Sequence, residues 1–285
     1  MIAFNATLGR LSRRAAFCAA TLAGASAPAL ADGSLQAKYA LSVAGIEVGR
    51  ATLIVQATDT TFEIAGTGKV SGILRAVSSG KGTAAARGTM EGGKPTPTVF
   101  AVNTEADGKV EAVRIGFAGT AVKELEVDPE PKPLPDRIEM TDAHKANVID
   151  PMSGAFVAVP GTGSLLSAAA CTKAIPIFDG RQRYDVTLTF LRMEDVKADK
   201  GYAGPAVVCR VGYVPVAGHR PTRSTVKYMQ ANKEMFVWLV PIAGTRLMAP
   251  FKVSIATMIG TAVLEATSFE TSVREKAVPV STPKR

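Results

Sequence analysis

Hydrophobic and polar residues alternate along most of the chain after residue 34. In LQAKYALSVAGIEVGRATLIVQAT, Tyr39, Leu41 and Val43 fall on one face of an extended segment before Gly45 interrupts the run. A period of two is the pattern of β-strands that bury one face. Asp107-Gly108 is a residue pair that two-residue hairpin turns require. The pattern therefore predicts antiparallel strands joined by short turns.

Strand patterns recur to the end of the chain. We predict them in TTFEIAGTGK, GKGTAAARGTM, TPTVFAVNTEADGKVEAVRIGFAG, TAVKELEVDP, AIPIFDG, RYDVTLTFLRMEDV, AVVCRVGYVPV, RSTVKYMQAN, EMFVWLVPI, TRLMAPFKVSIAT and GTAVLEATSFE. This number of successive strands is too large for a flat sheet, so the sheet should curl or close. The predicted fold is mainly β, a large curled antiparallel sheet of barrel-like or spiral form with one or two short helices inserted.

Three segments break the alternation. Residues 71–80 fit one or two helical turns between glycines. Four prolines in 128–137 exclude helix and central strand, so this stretch is a loop and a candidate subdomain boundary. In 149–171, Asp150 suits a helix cap and Pro151 a first helical position, which predicts two short helices. We expect one β-rich domain over residues 32–270 and a disordered tail over 271–285.

The first 31 residues predict a signal peptide. Three arginines precede an apolar run rich in small residues, and Ala29-Leu30-Ala31 has the small-x-small pattern that predicts cleavage after Ala31. The run is too short for a stable membrane span, so we expect no transmembrane segment in the mature chain. Ser12-Arg13-Arg14 hints at twin-arginine export, but Phe17 lies one position late, which favours general secretion. The sequence thus predicts an exported, periplasmic protein.

The charge is basic but dispersed. The formal net charge of +8 falls to +5 without Arg10, Arg13 and Arg14, and the remaining charges form no block of like sign. Contact with the anionic surfaces of a bacterial envelope is therefore allowed but not implied. Export and the lack of a basic, aromatic-rich stretch argue against nucleic-acid binding.

Two of the three cysteines, Cys171 and Cys209, remain after signal cleavage. In an oxidising compartment such a pair favours a disulfide, and closing a loop of about 39 residues stabilises a fold by roughly 4 kcal/mol in the chain-entropy model. A zinc site is the weaker alternative, because two sulfurs are an incomplete ligand set and His144 and His219 lack ligand spacing. A redox pair is weaker still without a CxxC motif.

The chain offers little for catalysis. It contains no GxSxG elbow, no HExxH helix and no phosphate-binding glycine loop. His219 lies in a run with Arg220 and Arg223, and His144 lies in a polar connection beside Asp142 and Lys145, so both are expected in surface loops. We therefore expect a non-enzymatic protein that needs neither a cofactor nor a metal ion.

A binding role is the stronger hypothesis. A curled sheet with an apolar concave face forms a natural pocket for acyl chains or other hydrophobic ligands. The candidate pocket residues are the large apolar side chains of the later strands: Phe190, Phe236, Trp238, Leu247, Met248, Phe251 and Met258. The alternative is that these side chains fill a packed core, and composition does not separate the two.

The stretch FDGRQRYDV places two acids and two arginines around Gly180. We interpret it as a hairpin turn between strands at 175–178 and 184–190, with its charged side chains on an edge that faces water. A catalytic site is the less favoured interpretation. Arg181 and Arg183 are the candidate contacts for the headgroup of a ligand.

Five segments carry a family resemblance in this order: YALSVAGIEVGRA, DPMSGAF, FDGRQRYDV, AGPAVVCRVGYVPVAGHR and FKVSIATMIGTAVLEA. Together they resemble the exported proteobacterial family called domain of unknown function 3108, in its alphaproteobacterial form, over nearly all of residues 35–270. The resemblance implies a periplasmic β-rich protein and carries over no catalytic residues. The implied architecture is also similar to Lol-type lipoprotein carriers and to an envelope-integrity β-spiral protein, an analogy of fold alone.

Two hypotheses from different classes follow. The first is a non-catalytic periplasmic binding or carrier protein for a hydrophobic or lipid-like ligand, such as a lipid or a lipoprotein acyl chain, that supports envelope integrity. The second is a structural or interaction protein that contacts envelope proteins through sheet edges and loops. The shape and lining of the folded interior distinguish them.

Overall fold

The computed structural model describes residues 32–72, 79–171 and 173–274. The predicted signal peptide, most of the predicted helical segment at 71–80 and residues 275–285 lie outside the described residues. The strands are β1 (Asp32–Val43), β2 (Ile46–Ala57), β3 (Thr61–Val70), β4 (Gly80–Glu91), β5 (Lys94–Ala106), β6 (Lys109–Ala118), β7 (Ala121–Asp128), β8 (Val157–Ala158), β9 (Lys173–Phe178), β10 (Arg183–Lys197), β11 (Lys200–Gly201), β12 (Ala203–Ala217), β13 (Met235–Pro241), β14 (Leu247–Thr257) and β15 (Gly260–Arg274). The helices are α1 (Pro151–Gly154) and α2 (Ser224–Ala231), with 3-10 turns at Asp142–Lys145 and Ala168–Cys171.

These strands form one sheet. Its order is β7-β6-β5-β4-β3-β2-β1-β15-β14-β13-β12-β10-β9, with β11 paired to β15 and β8 paired to β14. Neighbours along this path are antiparallel, and the pairing of β1 with β15 joins a first half built from β1–β7 to a second half built from the later strands. The mainly β fold and the large antiparallel sheet predicted from the alternation are confirmed.

The predicted hairpin turns are present. Ala44 and Gly45 have φ values of 49° and 80°, and Asp107 and Gly108 have 50° and 76°. Positive φ at both central positions is the geometry of the two-residue turn that matches the twist of paired strands. Glycine adopts positive φ freely and aspartate more readily than most residues, whereas Ala44 adopts it at a steric cost.

The sheet curls until its edge strands, β7 and β9, approach one another without closing into a barrel. Val148 and Ile149 lie in the gap between them. The Val148 N–H donates to the Thr120 carbonyl at the β6–β7 turn (2.9 Å), and the Ile149 N–H donates to the Pro176 carbonyl of β9 (2.9 Å). One short segment therefore ties both edges together.

The main core fills the inside of the curl. Alternate residues of the first half face it, as the period-two pattern predicts: Leu35, Val55, Ile64, Phe100 and Ile115. The second half contributes Phe178, Trp238, Phe251 and Phe269 to the same cluster. Because side chains of both halves pack in one cluster, the two halves depend on each other for burial.

A second core lies on the opposite face of β10, β12, β13 and β14. Val208 faces the main core, whereas its neighbour Cys209 faces the second core. The segment 157–171 covers this face, and Cys171 at its end is joined to Cys209 with a Cα–Cα distance of 5.5 Å. The predicted disulfide is confirmed, and both of its cysteines are fully buried.

The predicted helical insert is only partly helical. Asp150 caps α1 by accepting the N–H groups of Met152 and Ser153, each at 2.9 Å, and Pro151 occupies the first position as expected. The second predicted helix is reduced to the 3-10 turn at Ala168–Cys171. Between them the chain forms β8 and irregular loops that cover the second core.

The strand predicted at 223–232 is wrong, because this segment forms α2. Val226 and Tyr228 favour strands, but the helix places Val226 and Met229, three residues apart, on one half-buried side. No residue of α2 is fully buried. The local pattern was therefore ambiguous, and surface packing rather than strand pairing decided it.

Two predicted boundaries also change. β15 continues to Arg274 rather than ending at residue 270, because Asp32–Leu35 of β1 pair with Thr271–Arg274. The proline-rich stretch at 128–137 connects strands of one sheet, so both sides of the candidate boundary share the same sheet and main core.

Candidate functional site

The structure distributes the predicted pocket residues among several environments. Four of the seven are buried in the two cores: Trp238, Leu247, Met248 and Phe251. Phe236 packs against the main core, whereas the exposed fractions of Phe190 and Met258 are 39% and 62%. Packed side chains thus fill the inside of the later strands, and the concave surfaces lie elsewhere.

The FDGRQRYDV hairpin forms between β9 and β10, with Arg183 opposite Phe178. Asp179 Oδ1 accepts the N–H groups of Arg181 (2.8 Å) and Gln182 (2.6 Å), and these bonds hold the turn. Burial raises the pKa of Asp179 above its usual value. Asp179 is therefore a half-buried structural residue and not the solvated turn residue that the sequence suggested.

Gly180 brings this turn against β6. Its φ is +91°, and a Cβ atom placed on it would lie 2.3 Å from Val113 Cγ1. Only glycine permits this approach without displacing the Val113 side chain of β6. The contact positions the next residue, Arg181, at the end of β7.

The two candidate headgroup arginines have different surroundings. Arg183 Nη1 lies 2.7 Å from Asp185 Oδ1, and its side chain is only 14% exposed, so the expectation that it faces water is wrong. Arg181 Nη2 donates to the Pro129 carbonyl (3.1 Å) and lies 3.7 Å from Glu111 Oε2. Arg181 alone of the pair reaches an open surface, because β6 and the end of β7 hold it there.

That surface is a groove of about 500 Å³ between β7, the loop 129–141 and the turn at Gly180, which we call the β7 groove. Its apolar lining consists of Leu125, Val127, Pro131, Pro133, Leu134, Ile138 and Met140. Val127 and Met140 pack against the main core, so the floor of the groove is continuous with it. Leu125 and Ile138 remain 38% and 39% exposed.

The loop is fixed in place at its far end. Arg220 Nε donates to Asp136 Oδ1 (2.7 Å), and Thr222 Oγ1 also donates to this carboxylate. These bonds lower the pKa of Asp136, with that from Thr222 contributing most. The Ile138 N–H donates to the His219 carbonyl (3.0 Å). The outer wall of the groove is therefore anchored, although four prolines exclude regular structure from it.

The groove has a cationic rim. Four basic residues belong to its lining, Lys132, Arg137, Lys145 and Arg181, against two acids, Glu130 and Glu139. Lys145 is paired with Asp142 (3.2 Å), which leaves Lys132, Arg137 and Arg181 as the candidate contacts for an anion. The Arg137 Nε atom is buried and has no hydrogen-bond partner among the described residues. An apolar floor beside donors of positive charge is the arrangement that binds an apolar chain carrying an anionic group.

The two histidines lie in different surroundings. His219 is only 9% exposed, so its expected place on the surface is wrong; the loop 129–141 crosses over it and bonds its carbonyl. His144 lies in a 3-10 turn, where its Nδ1 is 3.1 Å from the Thr141 backbone nitrogen. Within residues 32–72, 79–171 and 173–274, no three His, Cys, Asp or Glu side chains are grouped to hold a metal ion.

Most of the β7 groove was not predicted. The sequence identifies Arg181 as a candidate residue of the site. It places Leu125 in a predicted strand and Ile138 just after the proline-rich loop, with nothing to bring the two together. Leu134, Ile138 and Met140 recur within a polar, proline-bearing stretch, and this was the available signal. A loop that carries large apolar residues at such intervals packs against the body of the protein.

A family model and a solved structure match this chain. A family model described as "Protein of unknown function (DUF3108)" matches residues 38–267. A crystal structure of a beta-barrel-like protein of domain of unknown function DUF1849 from Brucella abortus aligns with a TM-score of 0.48 and 11% sequence identity, over 85% of this chain and 98% of that one. No curated protein matches the sequence. Among the described residues, no helix has the length and apolar character to cross a membrane.

Proposed function

This chain belongs to the DUF3108 family of proteins of unknown function, and we propose that it is a non-catalytic periplasmic binding or carrier protein for a lipid-like ligand with an anionic headgroup. The ligand lies in the β7 groove and the protein supports the integrity of the cell envelope. The observation that carries the proposal is the meeting of exposed apolar and cationic side chains in one anchored groove.

The apolar part of the groove supports binding of an acyl chain. Leu125 and Ile138 leave more than a third of their surface in water, and covering a large aliphatic side chain fully is worth about 1.5–3 kcal/mol. A single apolar chain between these two side chains would bury apolar surface on both, and both would then contribute to its binding free energy. A volume of about 500 Å³ falls within the range of small-molecule sites.

The charged part supports an anionic headgroup. Arg181 is held by the Pro129 carbonyl, and its ion pair with Glu111 is long, at 3.7 Å. Arg137 and Lys132 also belong to the lining of the groove. Hydrogen bonds between charged donors and an anion are among the stronger ones available, so these residues favour a carboxylate or phosphate at the rim.

Export is part of the proposal. The disulfide between Cys171 and Cys209 is compatible with an oxidising compartment. The signal peptide predicted over residues 1–31 supplies the route. The periplasm lies between two membranes, so a lipid-binding protein there has access to acyl chains from either membrane.

A fluorescent fatty acid tests the groove. The mature chain is titrated with cis-parinaric acid, and Ile138→Asp is expected to weaken binding by about tenfold or more, because a carboxylate replaces apolar surface and repels the headgroup. Met193→Asp on β10 is the matched control, since Met193 is 41% exposed and does not line the groove. Equal affinity of both variants and wild type overturns the proposal.

The role of Arg181 is separated by the charge of the ligand. Arg181→Met should weaken binding of the fatty acid but not of its methyl ester, whereas the exposed Arg192→Met, on β10, should change neither. Native mass spectrometry of protein isolated from the periplasm should show a bound lipid. Protein that carries none and crosslinks in cells to an envelope protein supports the alternative function as an interaction protein and contradicts this one.

A further inference from the structure

A second cleft, of about 420 Å³, lies between the β4–β5 hairpin, α1 and β9. It shares no lining residue with the β7 groove. Two lysines reach it from different strands, Lys94 at the start of β5 and Lys173 at the start of β9, and we call it the lysine cleft. Its walls are largely apolar and include Ile149, Phe156 and Ile175.

One acid, Glu91, lies near the lysines of this cleft as the cross-strand neighbour of Lys94. Neither Lys94 nor Lys173 forms an ion pair with any residue that the structure describes. Glu91 is the acid of the lining, and its Oε1 atom accepts a hydrogen bond from Thr89 Oγ1 (3.3 Å). Burial lowers the pKa of Lys173, and the positive charge of Lys94 lowers it further. The two lysines therefore repel each other across the cleft, and a bound anion would offset this repulsion.

A buried hydroxyl group adds a polar partner. Ser153 of α1 lines the cleft, is 1% exposed, and its Oγ atom makes no hydrogen bond of ordinary geometry among the described residues. It lies near Asp150, whose pKa is raised by burial and lowered to a smaller extent by Ser153. Ser153 thus gives the cleft a buried hydroxyl group that has the Asp150 carboxyl group as its neighbour.

We propose that the lysine cleft is a second binding site, for a carboxylate or phosphate group held between Lys94 and Lys173 with Ser153 as a hydrogen-bond donor. An anion there exchanges the repulsion between the lysines for two charge-assisted hydrogen bonds. The apolar walls beside it accept a short hydrocarbon substituent on the same ligand. This site does not depend on ligand binding in the β7 groove.

Titration of the mature chain with inorganic phosphate and with dodecyl phosphate below its micellar concentration tests the site. Lys173→Met and Lys94→Met should each weaken calorimetric binding by about tenfold or more, the size expected for a lost hydrogen bond to a charged group. Lys197→Met on β10 is the matched control, because Lys197 is exposed and has no ion pair in the part of the chain that the structure describes. Equal loss in the control, or no loss in either cleft variant, overturns the site.

The two probes also separate the sources of the anion. Tighter binding of dodecyl phosphate, lost in both lysine variants but retained in Ile138→Asp, identifies an amphiphile in this cleft. Equal binding of the two probes identifies a free anion. In either case the pKa of Lys173, followed by NMR of labelled lysine, should rise on saturation, because a bound anion favours the charged amine. A pKa that does not move places the anion elsewhere and contradicts the proposal.

Discussion

At the scale of single residues, Gly180 should matter more than its place in a surface turn suggests. Gly180→Ala adds overpacking of about 1–3 kcal/mol to the strain of a left-handed residue, since the new Cβ would lie 2.3 Å from Val113 Cγ1. Gly45→Ala is the matched control, because Gly45 also has positive φ but no atom within 4 Å of an added Cβ. Urea unfolding should show the larger loss for Gly180→Ala. Equal losses of unfolding free energy in the two variants would mean that Val113 moves aside at no cost.

Asp150 should make stability depend on pH in an unusual direction. Burial raises its pKa in the folded protein, so the folded state holds this proton more tightly than the unfolded state. Its contribution to stability is therefore present at low pH and is lost as pH rises through the folded-state pKa. Asp150→Asn retains an oxygen that caps α1 but does not titrate. The difference in unfolding free energy, wild type minus variant, should fall with rising pH; a flat or rising difference contradicts the assignment.

Residue-level inference from the sequence was accurate where the cause is local. Asp107-Gly108 and Asp179-Gly180 were identified as turns because a turn is decided by the conformational range of two residues. The burial of Asp179 and Arg183 was missed, since it depends on β6 and on strands distant in sequence. Their charges alone predicted exposure to water, whereas the folded protein gives Asp179 two backbone N–H donors and places Arg183 beside Asp185.

At the scale of elements, the disulfide holds the segment 157–171 over the second core. Cys171→Ser should lower the free energy of unfolding by about 4 kcal/mol and increase amide hydrogen exchange in that segment first. The freed Cys209 lies fully buried, so its native reaction with a thiol reagent should be slow and should accelerate in urea. Fast native reaction would show that the segment leaves the sheet when the bridge is absent.

The elements also show which patterns the sequence decides. The long strands were predicted because their alternation is unbroken and their hairpins are short. α2 was missed because Val226 and Tyr228 have the strand spacing of two, whereas Val226 and Met229 have the helical spacing of three, and so short a segment does not decide between them. The β7 groove was missed for another reason: β7, the loop 129–141 and the turn at Gly180 meet only after the sheet has curled.

At the scale of the whole molecule, the shared main core predicts a single unfolding transition. Trp238, the one tryptophan of the chain, lies in that core and reports on it, whereas far-UV circular dichroism reports on all strands. With the disulfide intact, the two signals should change at the same urea concentration. Separate midpoints would show that residues 128–137 divide the protein into independently stable parts.

The pairing of β1 with β15 has a consequence for synthesis and transport. These strands are the first and the last of the described chain, yet they form the centre of the sheet. A ribosome completes β15 last, so the β1–β15 pairing cannot form before the rest of the chain has been made, whereas β1–β7 are neighbours in sequence and can pair earlier. For a protein exported as proposed, the two halves of the sheet can join only once β1 and β15 are on the same side of the membrane.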